Sequence, residues 1–237
     1  AQIDTVTENR YPLDELAITL GTTYYWRIDE VNDAESPAVW EGDLWSFTTS
    51  AYLVVDDFES YTDDVDAGQA IFQTWIDGWT NGTGSMASYL DAPFVERMVV
   101  HEGRQSMPVS YDNQVSPWYS EIERAWWEPQ NWTFGGAEAL VLYVRGDVGN
   151  DPETLYVTVE DDRGRTATVT HPNADVLTVG GWQAWQIPLD ALGANGVDVT
   201  NVAKLYIGAG DREHPTAGGA GQFYLDDIRV GLAMPEE

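Results

Sequence analysis

Leu140-Val-Leu-Tyr-Val-Arg-Gly-Asp-Val-Gly-Asn-Asp-Pro-Glu-Thr-Leu-Tyr-Val-Thr-Val-Glu160 is the stretch on which the fold turns. Two runs rich in Val, Leu and Tyr flank a cluster of Gly, Asp, Asn and Pro, the pattern of two strands separated by a loop. The same pattern continues outward in both directions. Toward the C terminus it predicts strands at 166–171, 183–189, 203–208 and 222–230. Toward the N terminus it predicts strands at 120–127, 106–111, 96–100, 53–58, 44–49 and 23–31. No long stretch carries a helical stripe, so the fold class is all-β.

Composition narrows the function classes. With 237 residues and 43% hydrophobic content, the chain can close a sizeable core. It has no cysteine, so no disulfide framework or thiolate metal site is available. No run reaches the roughly 18 apolar residues of a membrane span. Ala1 is not an initiator Met, and the chain is expected to be an excerpt or a processed product. Eleven Lys and Arg stand against 40 Asp and Glu, a formal charge of −29 that repels nucleic-acid backbones and anionic membranes. Most of these acids are expected to solvate the surface, as suits an extracellular protein.

The first 50 residues resemble the second half of a fibronectin type III domain. The resemblance rests on Ile18-Thr-Leu-Gly-Thr-Thr-Tyr24, Tyr25-Trp-Arg-Ile-Asp-Glu-Val-Asn32 and Trp45-Ser-Phe-Thr-Thr49. It implies a tyrosine corner at Tyr24, with Trp26 and Ile28 on the inner face of a central strand. Residues 1–50 supply only about three of that fold's seven strands. The missing layer is expected to come from the same chain's next domain or from neighbouring copies of the protein.

Residues 51–232 resemble jelly-roll, galactose-binding-like carbohydrate-binding modules of multidomain bacterial surface proteins and glycoside-degrading enzymes; 233–237 form a tail. Val54-Val-Asp-Asp-Phe-Glu59 is similar to that family's acidic first strand, and Phe223-Tyr-Leu-Asp-Asp-Ile-Arg-Val230 to its closing strand. The resemblance implies a β-sandwich jelly roll and a non-catalytic extracellular or bacterial cell-surface module that attaches to polysaccharide. It also implies a structural calcium held by first- and last-strand carboxylates with backbone oxygens near 102–106. The candidate ligands are Asp57, Glu59 and either Asp226 or Asp227. Converging carboxylates repel one another unless a hard cation accepts their oxygens. Edge-strand acids facing water are the alternative.

Aromatic residues supply the sugar-binding candidates. Eleven Trp and 12 Tyr are many for this length, and aromatic rings stack on the C–H faces of sugars while polar neighbours bond the hydroxyls. Most rings are expected in the core. Trp79 in a Gly-rich loop, Trp118 and Tyr119 after Ser116-Pro117, and Trp127 out of phase with Trp126 are candidate platforms, with Glu123 and Arg124 as polar partners. Asp112, Asn113 and Glu121 can add hydroxyl-binding groups, and alternation puts Glu121 and Glu123 on the outer face of a sheet. The acidic charge favours neutral or basic glycans. The three His, His101, His171 and His214, share no ligand spacing, and the Gly run at 217–221 precedes a strand, not a helix. No nucleophile elbow or zinc-binding helix is present, so catalysis is not expected. A different class of function remains open: a structural subunit of an extracellular filament or matrix, in which the same aromatics contact protein.

Overall fold

In a computed structural model, residues 6–7 and 16–235 are described. The last two residues of the expected tail therefore lie outside the described residues. The chain divides into two compact units, Ala1–Ala51 and Tyr52–Glu237.

In the first unit β1 (Thr23–Trp26) pairs antiparallel with β4 (Trp45–Thr48), and β2 (Glu30–Val31) pairs with β3 (Val39–Trp40). The register sets Tyr24 opposite Phe47 and Trp26 opposite Trp45, with ring centroids 5.5 Å and 6.3 Å apart. Residues two apart share a strand face, so these four rings form one apolar face. The Tyr24 hydroxyl accepts a hydrogen bond from Thr19 N at 2.8 Å. The strand expected over 23–31 is broken at Arg27-Ile28-Asp29. There Arg27 pairs with Asp29 at 3.1 Å, and the same carboxylate accepts from Gly42 N.

The second unit opens with β5 (Tyr52–Asp56), β6 (Trp75–Ile76), the single turn α1 (Gly78–Asn81) and β7 (Ser85–Met86). Longer strands follow: β8 (Met107–Asp112), β9 (Ser120–Gln130), β10 (Ala139–Arg145), β11 (Leu155–Asp161) and β12 (Thr166–Thr170). The chain closes with β13 (Gln183–Pro188), α2 (Leu189–Ala194), β14 (Val202–Ala209) and β15 (Ala220–Gly231). One sheet has the order β13-β10-β15-β8-β7, with β5 also pairing with β15; the other is β12-β11-β14-β9-β6. Leu140, Leu142, Val144, Phe223 and Leu225 from the first sheet share one buried cluster with Ile122, Leu155, Val157, Val159, Leu205 and Ile207 from the second. The result is an all-β sandwich. Each such side chain contributes about 1.5–3 kcal/mol of burial.

Along one edge of β15, β8 pairs with residues 220–225 and β5 with residues 228–231. At that handover β15 carries a bulge: Tyr143 faces Asp226 and Val141 faces Arg229, one residue too many, with Asp227 at φ 46°. The bulge resets the alternation, so Phe223 and Leu225 before it and Ile228 and Val230 after it all reach the core. The strand expected at 96–100 is a turn with one bridge between Glu96 and Ser106. The Glu96 carboxylate accepts from the N–H groups of Arg97, Met98 and Val99, which curls the segment out of the extended state.

Candidate functional site

Two acidic regions of the second unit are candidates for a site. The first surrounds the bulge. Asp226 is buried, and its carboxylate accepts from His101 N at 2.8 Å and Asp227 N at 2.9 Å. Burial pushes its carboxyl up to about 7, and the neighbouring Asp227 charge adds to the rise. Asp227 Oδ2 lies 2.6 Å from His101 Nδ1, and the imidazole stacks on Tyr143. Glu59 accepts from Arg104 N at 2.7 Å and Gln105 N at 3.0 Å. Burial pushes Glu59 up, but those two N–H groups together with the Arg104 guanidinium outweigh it and hold the carboxyl below its usual range. Asp57 accepts from Glu59 N at 3.2 Å.

Asp57, Glu59, Glu102, Asp227 and Arg229 line a cavity of about 210 Å³. Its oxygens suit calcium in type. Their arrangement does not yet suit it, because 101–105 turns N–H groups toward Glu59 and Asp226. Among the described residues no three acidic or His side chains are gathered as a metal-holding cluster.

The second region is the outer face of the five-stranded sheet. Ile122, Leu155, Val157, Val159, Leu205 and Ile207 point inward, so Glu121, Glu123, Tyr156, Thr158, Glu160, Lys204 and Tyr206 point outward. Several of these polar residues are nevertheless buried: Glu121, Tyr156, Thr158 and Tyr206. They satisfy one another. Tyr156 donates to Glu121 Oε2 at 2.8 Å, Tyr206 donates to Glu160 Oε2 at 2.8 Å, and Lys204 Nζ lies 2.9 Å from Glu123 Oε1. Burial and the bond to Glu160 push the Tyr206 hydroxyl up to about 12, and the contact with Glu123 raises Lys204. Arg212 Cζ stands 4.8 Å from the Tyr206 ring centroid, and Arg212 Nη1 is 3.0 Å from Glu121 Oε2.

Beside this network lies a cleft of about 630 Å³. Tyr156 and the threonines of β12 form its floor; Glu153 and the loop from Gly210 to Gly218 form its wall. Three loops meet at the same end of the sheet. Gly84 N donates to Tyr119 O, Gly218 N donates to Asn113 O, and Asn113 Nδ2 donates to Ala209 O.

Residues 69–231 match the family described as carbohydrate binding domain 30. The chain belongs to that carbohydrate-binding family. This carbohydrate-binding domain covers more than half of the chain, and it is a binding domain without a catalytic role. Among solved structures, an agarase, AgWH50C, is 10% identical over 79% of this chain and 25% of its own, with a TM-score of 0.51. The family 11 carbohydrate-binding module of the cellulosomal cellulase Lic26A-Cel5E of Clostridium thermocellum is 13% identical over 78% of this chain and 97% of its own, with a TM-score of 0.48. A family 30 carbohydrate-binding module is 18% identical over 60% and 75%, with a TM-score of 0.46. At these identities the likeness to the agarase is one of fold alone. No curated protein matches the chain.

The candidate sugar-binding residues of the carbohydrate-binding domain lie in several different places. Trp79, Trp118 and Tyr119 belong to two of the loops gathered at one end of the sheet. Trp79 is 82% exposed, and Trp118 is 43% exposed and held at φ 66°, a conformation costly for a bulky residue. Trp127 sits toward the other end of β9, beyond Ala125, which lies about 17 Å along the strand from Ser120. It projects from an irregularity in which Lys204 faces Ala125 while Val202 faces Gln130, and it is 99% exposed. Glu123 is on the outer face as expected. Arg124 is corrected: its side chain turns into the sandwich, where Nη1 donates to Asp56 and to the Tyr61 hydroxyl. Asn113 is buried as a tie between Ser120, Glu153 and Ala209. Tyr156, Tyr206 and Lys204 were not singled out from sequence, although alternation in β11 and β14 marks them as outward. Nothing in the sequence marks Arg212.

No helix among the described residues is long and apolar enough to cross a membrane.

Proposed function

We propose that this domain attaches a larger extracellular protein to polysaccharide by laying a glycan chain along the outer face of the five-stranded sheet. The cleft beside Tyr156 would hold its polar edge, and Trp79, Trp118 and Trp127 would offer stacking surfaces at the two ends. One observation carries the reading: a polar, hydrogen-bonded floor buried beside an open cleft, on a sandwich of a carbohydrate-binding family. The carboxylates Glu121, Glu123, Glu153, Glu160, Asp211 and Glu213 outnumber Lys204 and Arg212 there, which favours uncharged sugars over uronates. Affinity electrophoresis on β-glucan, xylan, agarose and polygalacturonate tests it. Retardation by a neutral polymer and none by polygalacturonate is expected. No retardation by any polymer, with the protein folded, overturns the reading.

Calcium belongs to the same proposal, at the cavity lined by Asp57, Glu59, Glu102 and Asp227. Four carboxylates bordering one space support it. Uptake requires Glu59 to release Arg104 and Gln105. Metal bound only to the native state stabilises it by mass action. Chelation is therefore expected to lower Tm, and an unchanged melting curve removes calcium. The first unit as a fibronectin type III half-domain is likewise a proposal, supported by the Tyr24 to Thr19 corner bond. The structural-subunit reading draws on its exposed Trp26, Trp45 and Phe47.

A further inference from the structure

Arg212 is the under-used donor in a cleft whose other charged groups are paired. Lys204, Glu123, Glu160 and Glu153 each have a near-ideal partner: Lys204 with Glu123, Glu160 with Tyr206, and Glu153 with Asn113 Nδ2 at 3.0 Å and Gly219 N at 3.1 Å. Arg212 does not. Its Nη1 is close enough to Glu121 for an ion pair but lies outside hydrogen-bond geometry, so a buried donor is left without a hydrogen-bond partner. A guanidinium has five N–H donors in a fixed plane, and a single off-angle carboxylate oxygen leaves the fork largely unused. Arg212 lines the cleft, and its side chain keeps 28% exposure. The Tyr206 ring that would otherwise serve as a stacking surface lies beneath it.

We infer that Arg212 reads the ligand, donating to neighbouring uncharged hydroxyls of a glycan, and that the buried carboxylate of Glu121 is the positioning residue that holds it over Tyr206. The inference rests on the proposed cleft and deepens it. Vicinal hydroxyls present two acceptors at the spacing of a guanidinium fork. A uronate would also pair with the fork, but it must enter among Glu153, Asp211 and Glu213, which line the same cleft. Glu121 is suited to its part because it is fixed on two sides: Tyr156 donates to Oε2, and its backbone carbonyl accepts from Asn81, Thr83 and Ser85. Burial pushes its carboxyl up, Arg212 and the Tyr156 hydroxyl pull it down, and Glu123 pushes it up again. As pH falls through that raised value Glu121 loses its charge and with it the hold on Arg212.

The test is the affinity of the full chain for whichever neutral polymer retards it, measured by calorimetry for wild type, Arg212→Ala, Arg212→Lys and Glu121→Gln. Arg212→Ala is expected to weaken binding about ten- to a hundredfold, as loss of charged hydrogen bonds does. Arg212→Lys should restore little of it, because an ammonium has no planar fork. Glu121→Gln keeps the size and the Tyr156 bond. It should bind several-fold more weakly at neutral pH and lose the fall in affinity that wild type shows on acidification. Melting curves confirm that each variant is folded. Wild-type binding that survives Arg212→Ala unchanged overturns the inference and leaves the proposed function standing. So does a Glu121→Gln pH profile that still follows wild type. Absence of wild-type binding overturns the proposed function itself.

Discussion

Arg124 and Trp127 lie three positions apart on one strand and meet opposite environments. The Arg124 guanidinium stands 5.8 Å from the Trp75 ring and 5.4 Å from the Trp126 ring, and it reaches Asp56 on the other sheet. Asp56 also accepts from the Tyr61 hydroxyl at 2.6 Å and Trp75 Nε1 at 2.9 Å. This group of four, with Asp56, Tyr61 and Trp75 buried and Arg124 partly buried, ties β5 to β9 across the sandwich. Removing one partner of a buried pair leaves the other charge uncompensated. Asp56→Ala is therefore expected to cost about 3–5 kcal/mol in urea unfolding. Trp127→Ala, at a side chain that buries almost nothing, should stay within about 0.5 kcal/mol while weakening glycan binding. Equal stability losses in the two variants would contradict this division. The direction of Arg124 was legible in principle: the alternation that sends Glu121 and Glu123 outward sends Ile122 and Arg124 inward. A charge on the core side requires a buried partner, and the sequence did not disclose that the partner is Asp56.

At the scale of elements, strands with two or more full periods of alternation were legible, and shorter or interrupted ones were not. Leu155 to Asp161 and Thr166 to Thr170 show inward Val and Ala against outward Thr and Glu, and they form β11 and β12 close to the expected limits. The two-residue β6 and β7 span only a single period, so no repeating pattern exists to read. The bulge at Asp227 breaks the rule that residues two apart share a face. That is why Asp226 cannot be placed from Ile228 and Val230. The β11–β12 turn is fixed by Asp161, whose carboxylate accepts from Arg163 N, Arg165 N, Arg165 Nε and Asp198 N. Burial pushes this carboxyl up, but those donors outweigh it and hold it down at about 2. A depressed folded-state value means the contribution to stability is present above the ordinary aspartate range and is lost as pH falls toward about 2. Asp161→Asn should therefore be less stable than wild type at neutral pH, with the two stability curves converging as pH drops from about 4 to about 2. A constant gap across that range would mean that the charge of Asp161 does not hold the turn.

At the scale of the molecule, the second unit carries a continuous core from Phe58 to Val230, whereas the first unit shows an apolar face on a two-stranded sheet. Two-stranded sheets are marginal in water unless something covers them. The two strands that carry the rings of this face were legible because Tyr24-Tyr-Trp26 and Trp45-Ser-Phe47 are local signals. Whether anything covers their aromatic face was not legible, because a docking partner leaves no periodicity in the chain that docks. A protein of residues 52–237 is expected to keep both the Tm and the glycan affinity of the full chain, since the binding cleft and the core are built within it. The structural-subunit reading makes a separate demand on the full chain. Burial of Trp26, Trp45 and Phe47 between copies must overcome the mutual repulsion of chains each carrying −29, so association should appear as salt screens that charge, with a Debye length of about 8 Å at roughly 0.15 M. Sedimentation velocity across a concentration and salt series decides the matter. Species that grow with salt for the full chain but not for 52–237 support self-association through the first unit. A full chain that sediments as a monomer under every condition removes the filament and leaves attachment to polysaccharide as the function.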